Sequence, residues 1–247
     1  MNRKQTYIGI AIIVLIFGII VVPKIIDRVK TGHVVENDRL NVAKKYTQDS
    51  PTGELSYITI NGKDRKVPEF QFANQDGDTI TDKNYRGKVF LVEFFFSRCT
   101  TICIPMNTNL VEIEKTFKDN PKFGIASFTI DPEHDTPKVL KEYAERYGVT
   151  DPDWNFLTGE REDIYKLANE GFNLLAQQNP NIPDGFQHSG LFALVDQNGF
   201  IRSRLDEFGN PLIYYRGFVP VGTPDEDGEE TSQIDILKED IKLLLKQ

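Results

Sequence analysis

The stretch KVFLVEFFFSRCTTIC, from Lys88 to Cys103, decides the fold and contains both cysteines of the 247-residue chain. Its first nine residues are almost all apolar, which is typical of a strand that is covered on both faces of a sheet. Glu93 is the exception, and we expect it to be a buried, partnered carboxylate or a polar residue on the other face. Pro105 suits the first turn of a helix that runs to Phe117. The two thiols therefore lie in a strand-to-helix loop.

Strands and helices alternate along the rest of the chain. This order predicts an α/β domain with a mixed sheet flanked by helices. Asp82 and Thr136 are predicted helix N-caps, the second followed by proline at the first helical position. The predicted elements are strands at Tyr57–Ile60, Phe123–Ile130 and Trp154–Leu157, helices at Pro137–Tyr147, Glu162–Glu170 and Ser232–Lys246, and hairpins that turn at Asp76-Gly77 and Asn198-Gly199.

Two loops of this predicted sheet are candidate site loops. One runs from Arg98 to Ile104 and contains the cysteines, and the other runs from Asp131 to Asp135. Both follow predicted buried strands. In an open α/β sheet, functional groups gather beyond the carboxyl ends of the strands. We therefore expect these two loops to lie at the same edge of the sheet.

The N-terminus has a different character from the rest of the chain. From Tyr7 to Val22 the sequence carries no charge and is long enough, with its edges, to span a bilayer. A cleaved signal peptide would need a small-residue exit site, and Val21-Val22-Pro23-Lys24 offers none. A core helix that is apolar on every face is unusual. The sequence predicts a membrane anchor at residues 1–30, a polar tether at 31–56 and one domain at 57–247.

The charge of the predicted domain limits its partners. The whole chain has 29 basic and 37 acidic residues, a net charge of −8. Residues 1–30 contain five Lys or Arg and one Asp, so 24 basic and 36 acidic residues remain and the net charge is near −12. This balance argues against nucleic acid or anionic lipid as a partner. It favours a basic partner surface or a cation, although a merely solubilising surface charge explains it equally well.

Cys99 and Cys103 are four residues apart at the start of a predicted helix. The free amides and the positive dipole end of a helix N-terminus favour thiolates. Thiolate is the form that attacks disulfides and the form that binds soft metals. A permanent structural disulfide would close a short loop and add little stability to a chain of this length. A reactive pair, a metal site and a structural bridge all remain open at this point.

The three histidines have different contexts. His33 lies in the predicted tether and is interpreted as incidental. His134 is interpreted as a solvated loop residue, with a metal or proton role as the alternative. His188 precedes a predicted buried strand and is either a hydrogen-bonded residue at the core edge or a ligand. Two thiolates and one imidazole would suit copper(I), would accept copper(II), and would bind zinc with an added ligand. Met106 is interpreted as helix packing.

From about Val67 to the C-terminal helix, the chain resembles the Sco/SenC family, thioredoxin-like proteins involved in copper delivery during assembly of cytochrome c oxidase. The order and spacing of several motifs carry this resemblance, whereas the CxxxC pattern alone would not. The motifs are Val67-Pro68-Glu69-Phe70, Asp76-Gly77, Tyr85-Arg86-Gly87-Lys88, Phe96-Ser97-Arg98-Cys99-Thr100-Thr101-Ile102-Cys103, Asp131-Pro132-Glu133-His134-Asp135-Thr136-Pro137 and His188-Ser189.

The resemblance implies a thioredoxin-like fold and a metal site. The family's copper ligands correspond to Cys99, Cys103 and His188, and Asp131 occupies a family position close to the site. The resemblance also implies a single N-terminal anchor in the bacterial cytoplasmic membrane, with the domain facing the periplasm. The expected partner is a copper-receiving oxidase subunit or another copper chaperone.

The chain departs from the family pattern at two places. Many members have proline directly after each cysteine, whereas here Thr100 and Ile104 occupy those positions and proline follows at Pro105. This change can alter the rigidity of the loop and the redox potential of the dithiol. Residues 206–231 are also longer than the family's usual last connection. We interpret them as a surface loop, with a partner-binding elaboration as the alternative.

Three functions follow from these features. The first is a membrane-anchored copper-binding metallochaperone with Cys99, Cys103 and His188 as ligands. The second is a thiol–disulfide oxidoreductase in which the two cysteines form a redox pair that reduces a partner's cysteines before metal insertion. The third is a peroxiredoxin-like peroxidase. Thr100 does stand three residues before Cys103 as in that family's motif, but Phe96 replaces the motif's proline, so this third reading is weak.

Overall fold

A computed structural model describes residues 17–18, 22–23, 55–60, 62–182, 184–205, 210–222 and 232–247. The chain divides into two compact units, Met1–Lys45 and Tyr46–Gln247. In the first unit only residues 17–18 and 22–23 are described, and they are helical. The predicted membrane anchor and tether therefore lie almost wholly outside the described residues. Within the described ranges, no helix is long and apolar enough to cross a membrane. The predicted boundaries after residues 30 and 56 stay predictions.

The described part of the second unit consists of short strands and four α-helices. The last turns of the third helix widen into a π-helix at Leu167–Phe172, and Asp82–Tyr85 is a 3-10 helix. The strands are β1 (Ser56–Tyr57), β2 (Thr59–Ile60), β3 (Lys63–Asp64), β4 (Gln71–Ala73), β5 (Thr79–Thr81), β6 (Val89–Phe95), β7 (Phe123–Thr129), β8 (Trp154–Leu157), β9 (Ala176–Gln178), β10 (Phe186–His188), β11 (Leu191–Val195), β12 (Ile201–Ser203) and β13 (Tyr215–Arg216). The helices are α1 (Cys103–Phe117), α2 (Pro137–Tyr147), α3 (Arg161–Lys166) and α4 (Ile234–Leu245).

The main sheet is mixed, as the alternating pattern predicts. Its strand order is β1-β12-β11-β6-β7-β8, and β13 pairs with β11. Strands β6, β7 and β8 run parallel, while β11 is antiparallel to β6 and β12 is antiparallel to β11. Helix α2 packs on β8, and α4 packs on β6 and on α1. Strand pairs β2–β3, β4–β5 and β9–β10 form separate hairpins.

Every residue of β6 is buried, which confirms the predicted strand covered on both faces. Glu93 is fully buried and stands opposite Ser127 of β7. The Ser127 hydroxyl donates to Glu93 Oε1 at 2.6 Å and accepts from Trp154 Nε1 at 2.9 Å, whereas Glu93 Oε2 has no hydrogen-bond partner among the described residues. Burial raises the pKa of Glu93 to about 8. The carboxyl group is therefore protonated and neutral at pH 7.

Local sequence signals fix several element ends. The Thr136 hydroxyl accepts from Val139 N, Pro137 begins α2, and Gly148 ends it with φ of +70°, all as predicted. The expectation that Asp82 caps the short helical turn is wrong, because Thr81 is the N-cap and Asn84 completes a capping box with it.

Two predicted segments differ from the structure. The predicted helix at Glu162–Glu170 is α-helical only through Lys166, because the chain then widens into the π-helix. Within the insertion at 206–231, residues 210–222 are described, and part of this stretch forms β13 opposite Leu191 and Phe192. That part is therefore integrated into the sheet and is not only a surface loop.

Replacing Glu93 by glutamine tests the neutral buried carboxyl group. In the folded state Glu93 holds its proton up to about pH 8, whereas the ordinary pKa of a glutamate, which applies to the unfolded chain, is 4.5. This proton therefore stabilises the fold fully below pH 4.5, and its contribution is lost as pH rises towards 8. Glutamine does not titrate. We expect the free energy of unfolding of the wild type, measured in urea, to fall by about 1 kcal/mol per pH unit relative to that of Glu93→Gln between pH 5 and 8. For the variant Glu142→Gln, at an exposed site, the free energy of unfolding should change with pH in parallel with that of the wild type. If the free energy of unfolding of Glu93→Gln also changed in parallel with that of the wild type, the protonated state of Glu93 would be contradicted.

Candidate metal centre

The carboxyl ends of β6 and β7 place two loops at one edge of the sheet, as predicted. Because the two strands are parallel and in register, the chain leaves both at the same edge. Ser97 N donates to Asp135 Oδ2 at 2.9 Å, and Arg98 contacts Asp131 Oδ2 at 2.5 Å through Nη2. The cysteine loop is thus fastened to the loop after β7 immediately before Cys99.

Helix α1 begins at Cys103 itself, two residues before the predicted first-turn proline. Cys103 N donates to Cys99 Sγ at 3.4 Å, so the first sulfur accepts from the helix N-terminus. The Thr101 hydroxyl lies 3.7 Å from the same sulfur. Amide donors and the positive end of the helix dipole stabilise negative charge at this position. The strand-to-helix loop therefore presents Cys99 as the more anionic of the two sulfurs.

His188 reaches the cysteines because of two strand registers. It ends β10, opposite Ala176 of β9, and β11 follows almost at once. Since β11 runs antiparallel to β6 with Ala193 opposite Val92, the start of β11 lies beside the end of β6. The result is a separation of 3.2 Å between His188 Nε2 and Cys103 Sγ.

The environment of the His188 ring fixes its orientation. Nδ1 lies 3.2 Å from the carbonyl oxygen of Ser189, which accepts only if Nδ1 carries the proton. The lone pair of Nε2 then points towards the cysteine sulfur. Phe96 packs edge-on against the imidazole with ring centroids 5.8 Å apart. The His188 ring is therefore oriented so that Nε2 can donate its lone pair to a metal, and it is not a solvated side chain.

The three predicted ligands come together as one donor set. Cys99 Sγ, Cys103 Sγ and a ring nitrogen of His188 all lie within 4.8 Å of one another. Cys99 and His188 are each 8% exposed, and Cys103 is fully buried. A metal bound at about 2.0–2.3 Å from two sulfurs and one nitrogen fits between atoms at such separations. Two thiolates and an imidazole are soft donors, a set suited to copper(I).

The two thiols differ strongly in acidity. The pKa of Cys99 is held well below its usual range because the Cys103 thiol donates to it, and the Cys103 amide adds to this effect. The pKa of Cys103 is raised well above its usual range by burial and by the negative charge on Cys99. Without metal, the pair is therefore a thiolate at Cys99 and a thiol at Cys103.

The loop after β7 supports the site without belonging to the donor set. Asp131 is buried and ion-paired with Arg98, which explains its place beside the cysteine loop. Asp131, His134 and Asp135 form a second cluster of potential ligands. Both carboxylate oxygens of Asp135 are already engaged, because one accepts from Thr129 Oγ1 at 2.5 Å and the other lies 2.9 Å from His134 Nδ1. His134 is thus a half-exposed, hydrogen-bonded loop residue.

Some residues at the site were not identified from the sequence. The polar hairpin β9–β10 gives no clear strand pattern, although it carries His188. Asn107, one helical turn after Cys103, donates to the carbonyl oxygen of Cys103 at 3.0 Å and to Tyr143 Oη at 3.1 Å. The spacing of four residues, which places Asn107 beside Cys103 on the same face of the helix, is the sequence signal that could have predicted this contact. Met106 is fully buried in the core, and His33 lies outside the described residues.

Fold and site together define a class of protein: a mixed-sheet domain with a buried two-cysteine, one-histidine donor set at a strand-to-helix junction. A model of the SCO1/SenC family matches residues 59–216. The chain therefore belongs to the SCO1/SenC family, whose fold is thioredoxin-like, and the predicted resemblance is confirmed.

Three similar proteins illustrate this membership. A SCO1 protein homolog of Bacillus subtilis is 36% identical over 136 residues, which cover 54% of this chain and 70% of the homolog. The structure of BsSco, a member of the Sco family of cytochrome c oxidase assembly proteins in which a disulfide switch was identified, has a TM-score of 0.57 at 30% identity and covers 72% of this chain and 92% of that chain. Copper-bound ScoI of Bradyrhizobium japonicum has a TM-score of 0.50 at 28% identity, and the match covers 57% of this chain and 89% of that chain.

Alkylation of the reduced, metal-free protein tests the asymmetry of the two thiols. Iodoacetamide should modify Cys99 and leave Cys103 nearly untouched, because one is a thiolate beside a cavity and the other is a buried thiol. The rate at Cys99 should vary less than about threefold from pH 5 to 8, whereas an ordinary thiol loses about tenfold per pH unit below its pKa. Tandem mass spectrometry locates the adduct. Faster modification of Cys103, or a tenfold loss per pH unit at Cys99, would contradict the assignment.

Proposed function

We propose that this protein binds copper through Cys99, Cys103 and His188 and delivers it during assembly of cytochrome c oxidase. The observation that carries the proposal is the convergence of these three donor atoms within 4.8 Å of one another. Support comes from relatives: ScoI of Bradyrhizobium japonicum has copper bound, and BsSco is a cytochrome c oxidase assembly protein. Copper is cargo in this proposal, handed to an oxidase subunit or to another copper chaperone.

The donor set suits a metal that must be released again. Three ligands leave an open position at which a partner's donor can enter before the first ligand leaves. Cys99 is already a thiolate, while Cys103 gives up its proton when it binds the metal. The neighbouring Nε2 of His188 cannot keep this proton and also bind copper. Binding therefore releases a proton, and delivery takes one up.

We infer that the domain is tethered to the outer face of the bacterial cytoplasmic membrane. The uncharged stretch from Tyr7 to Val22, counted with its edges from Gln5 to Ile26, has the length and composition of a membrane span. The resemblance to Sco/SenC proteins favours a single anchor and a domain facing the periplasm. The acidic charge of the domain suits a cationic cargo or a basic partner surface.

A thiol–disulfide oxidoreductase is the second candidate, and the asymmetry of the thiols favours it. The Cys99 thiolate would attack a partner's disulfide and form a mixed disulfide, with one partner sulfur leaving as thiolate. Cys103 would then attack Cys99, releasing the second partner sulfur and leaving an internal disulfide in this protein. The disulfide switch identified in BsSco is consistent with such chemistry. The peroxidase alternative is weaker, since Cys103 is fully buried.

Copper(I) titration of the reduced protein decides between these functions. The wild type should bind one copper tightly, and His188→Ala should weaken binding by on the order of 100-fold or more, because it removes the only nitrogen donor of the set. His134→Ala is the matched control and should bind as the wild type does, because His134 lies outside the donor set. If His188→Ala binds copper as tightly as the wild type and still reduces insulin disulfides, the copper proposal is wrong and the oxidoreductase function is favoured.

A further inference from the structure

The mouth of the metal centre lies between two loops that touch each other. One is the cysteine loop, and the other contains Asp184 and precedes β10. Thr100 N donates to Asp184 Oδ2 at 3.3 Å, and the Thr100 hydroxyl lies 3.0 Å from both carboxylate oxygens of Asp184. Among the described residues, Asp184 makes hydrogen bonds only to Thr100. This contact bridges the two loops directly beside Cys99.

A cavity of about 320 Å³ lies beneath this contact. Cys99 and His188 both contribute to its wall, as do Thr100 and Asp184 themselves. Most of the remaining lining is apolar and includes Phe96, Ile102, Ile182 and Phe186. Because Thr100 and Asp184 come from two different loops, their contact joins two parts of the cavity wall. Its opening would widen the route to the sulfur of Cys99.

The β9–β10 hairpin links Asp184 to His188 through backbone hydrogen bonds. Strands β9 and β10 pair continuously, with Phe186 opposite Gln178 and His188 opposite Ala176. The ladder continues past the strands, because Asn179 N donates to the carbonyl oxygen of Gly185 at 2.8 Å. Asp184 and His188 therefore belong to one continuously hydrogen-bonded hairpin.

The contact uses two donors at position 100 that proline lacks. Its backbone N–H and its hydroxyl both donate to the carboxylate, and proline, the residue many Sco/SenC proteins have directly after the first cysteine, has neither donor. The departure from the family pattern at this position therefore has a structural counterpart at Asp184. The contact is a property of this chain's own pair of residues.

We propose that the Thr100–Asp184 contact closes the mouth of the metal centre and limits the rate at which reagents and copper exchange there. Thr100 and Asp184 act as positioning residues, since neither belongs to the donor set. The part concerning copper rests on the proposed function, whereas the part concerning access to Cys99 does not. A hydrogen bond to a charged group at such a site corresponds to a rate change of about 5- to 30-fold when it is lost.

The first experiment measures access to Cys99 in the full-length, reduced, metal-free protein. Thr100→Val and Asp184→Ala should each raise the rate of iodoacetamide alkylation at Cys99 by about 5- to 30-fold. Thr100→Ser keeps the hydroxyl and should react as the wild type does. Thr116→Val is the matched control, because it removes a comparable exposed hydroxyl whose bond to Glu112 O lies at the far end of α1. Cys103 should stay unmodified throughout, whereas a merely destabilised variant would expose it too.

The second experiment measures copper transfer from the copper(I)-loaded protein to a chelator in excess. The same two variants should transfer copper about 5- to 30-fold faster, and the double variant should be no faster than either single one, because both remove the same contact. Rates within twofold of the wild type in the alkylation experiment, or independent effects that multiply in the double variant, would overturn the proposal. Faster alkylation with unchanged copper transfer would overturn its copper part. If the wild type binds no copper, the proposed function fails while the alkylation result still decides the role of the contact in access.

Discussion

The register between β6 and β11 is the constraint on which the metal centre depends. Ala193 stands opposite Val92 in an antiparallel pair, so the chain just before β11 lies beside the chain just after β6. His188 and the cysteines, almost ninety positions apart in the sequence, meet for this reason. Because side chains alternate between faces, a slip of β6 by one residue would move each of its side chains to the opposite face and take Glu93 away from Ser127. The register thus fixes the position of the site as well as the fold.

The local chemistry of the site follows from where the chain changes from strand to helix. Helix α1 starts at Cys103, and its first amide donates to the sulfur of Cys99. One cysteine is thereby a thiolate at the wall of a cavity, and the other is a fully buried thiol next to an imidazole. The same arrangement supplies soft donors for copper and an ordered pair for disulfide exchange, so both candidate chemistries originate from one geometric feature. The loop after β7 adds rigidity through the Asp131–Arg98 ion pair and takes no part in the donor set.

Much of the fold could be predicted because its signals are local. The apolar run of β6 and the Thr136-Pro137 start of α2 need no tertiary information, and the structure confirms both. The hairpin β9–β10 was missed because its polar residues show no period of two, and tertiary contacts hold it in place. The π-helix after Lys166 has no recognised sequence signal. Residue chemistry alone left His188 undecided between a core-edge residue and a ligand, and only the family resemblance identified it before the strand registers did.

The central claim is that one imidazole and two thiolates bind the same copper ion. X-ray absorption spectroscopy of the copper(I)-loaded protein tests it most directly, because scattering from an imidazole ring is distinct from that of sulfur. We expect two sulfur ligands and one imidazole nitrogen in the wild type, and loss of the imidazole signal in His188→Ala. A wild-type spectrum with sulfur ligands only, or an imidazole signal that survives in His188→Ala, would contradict it.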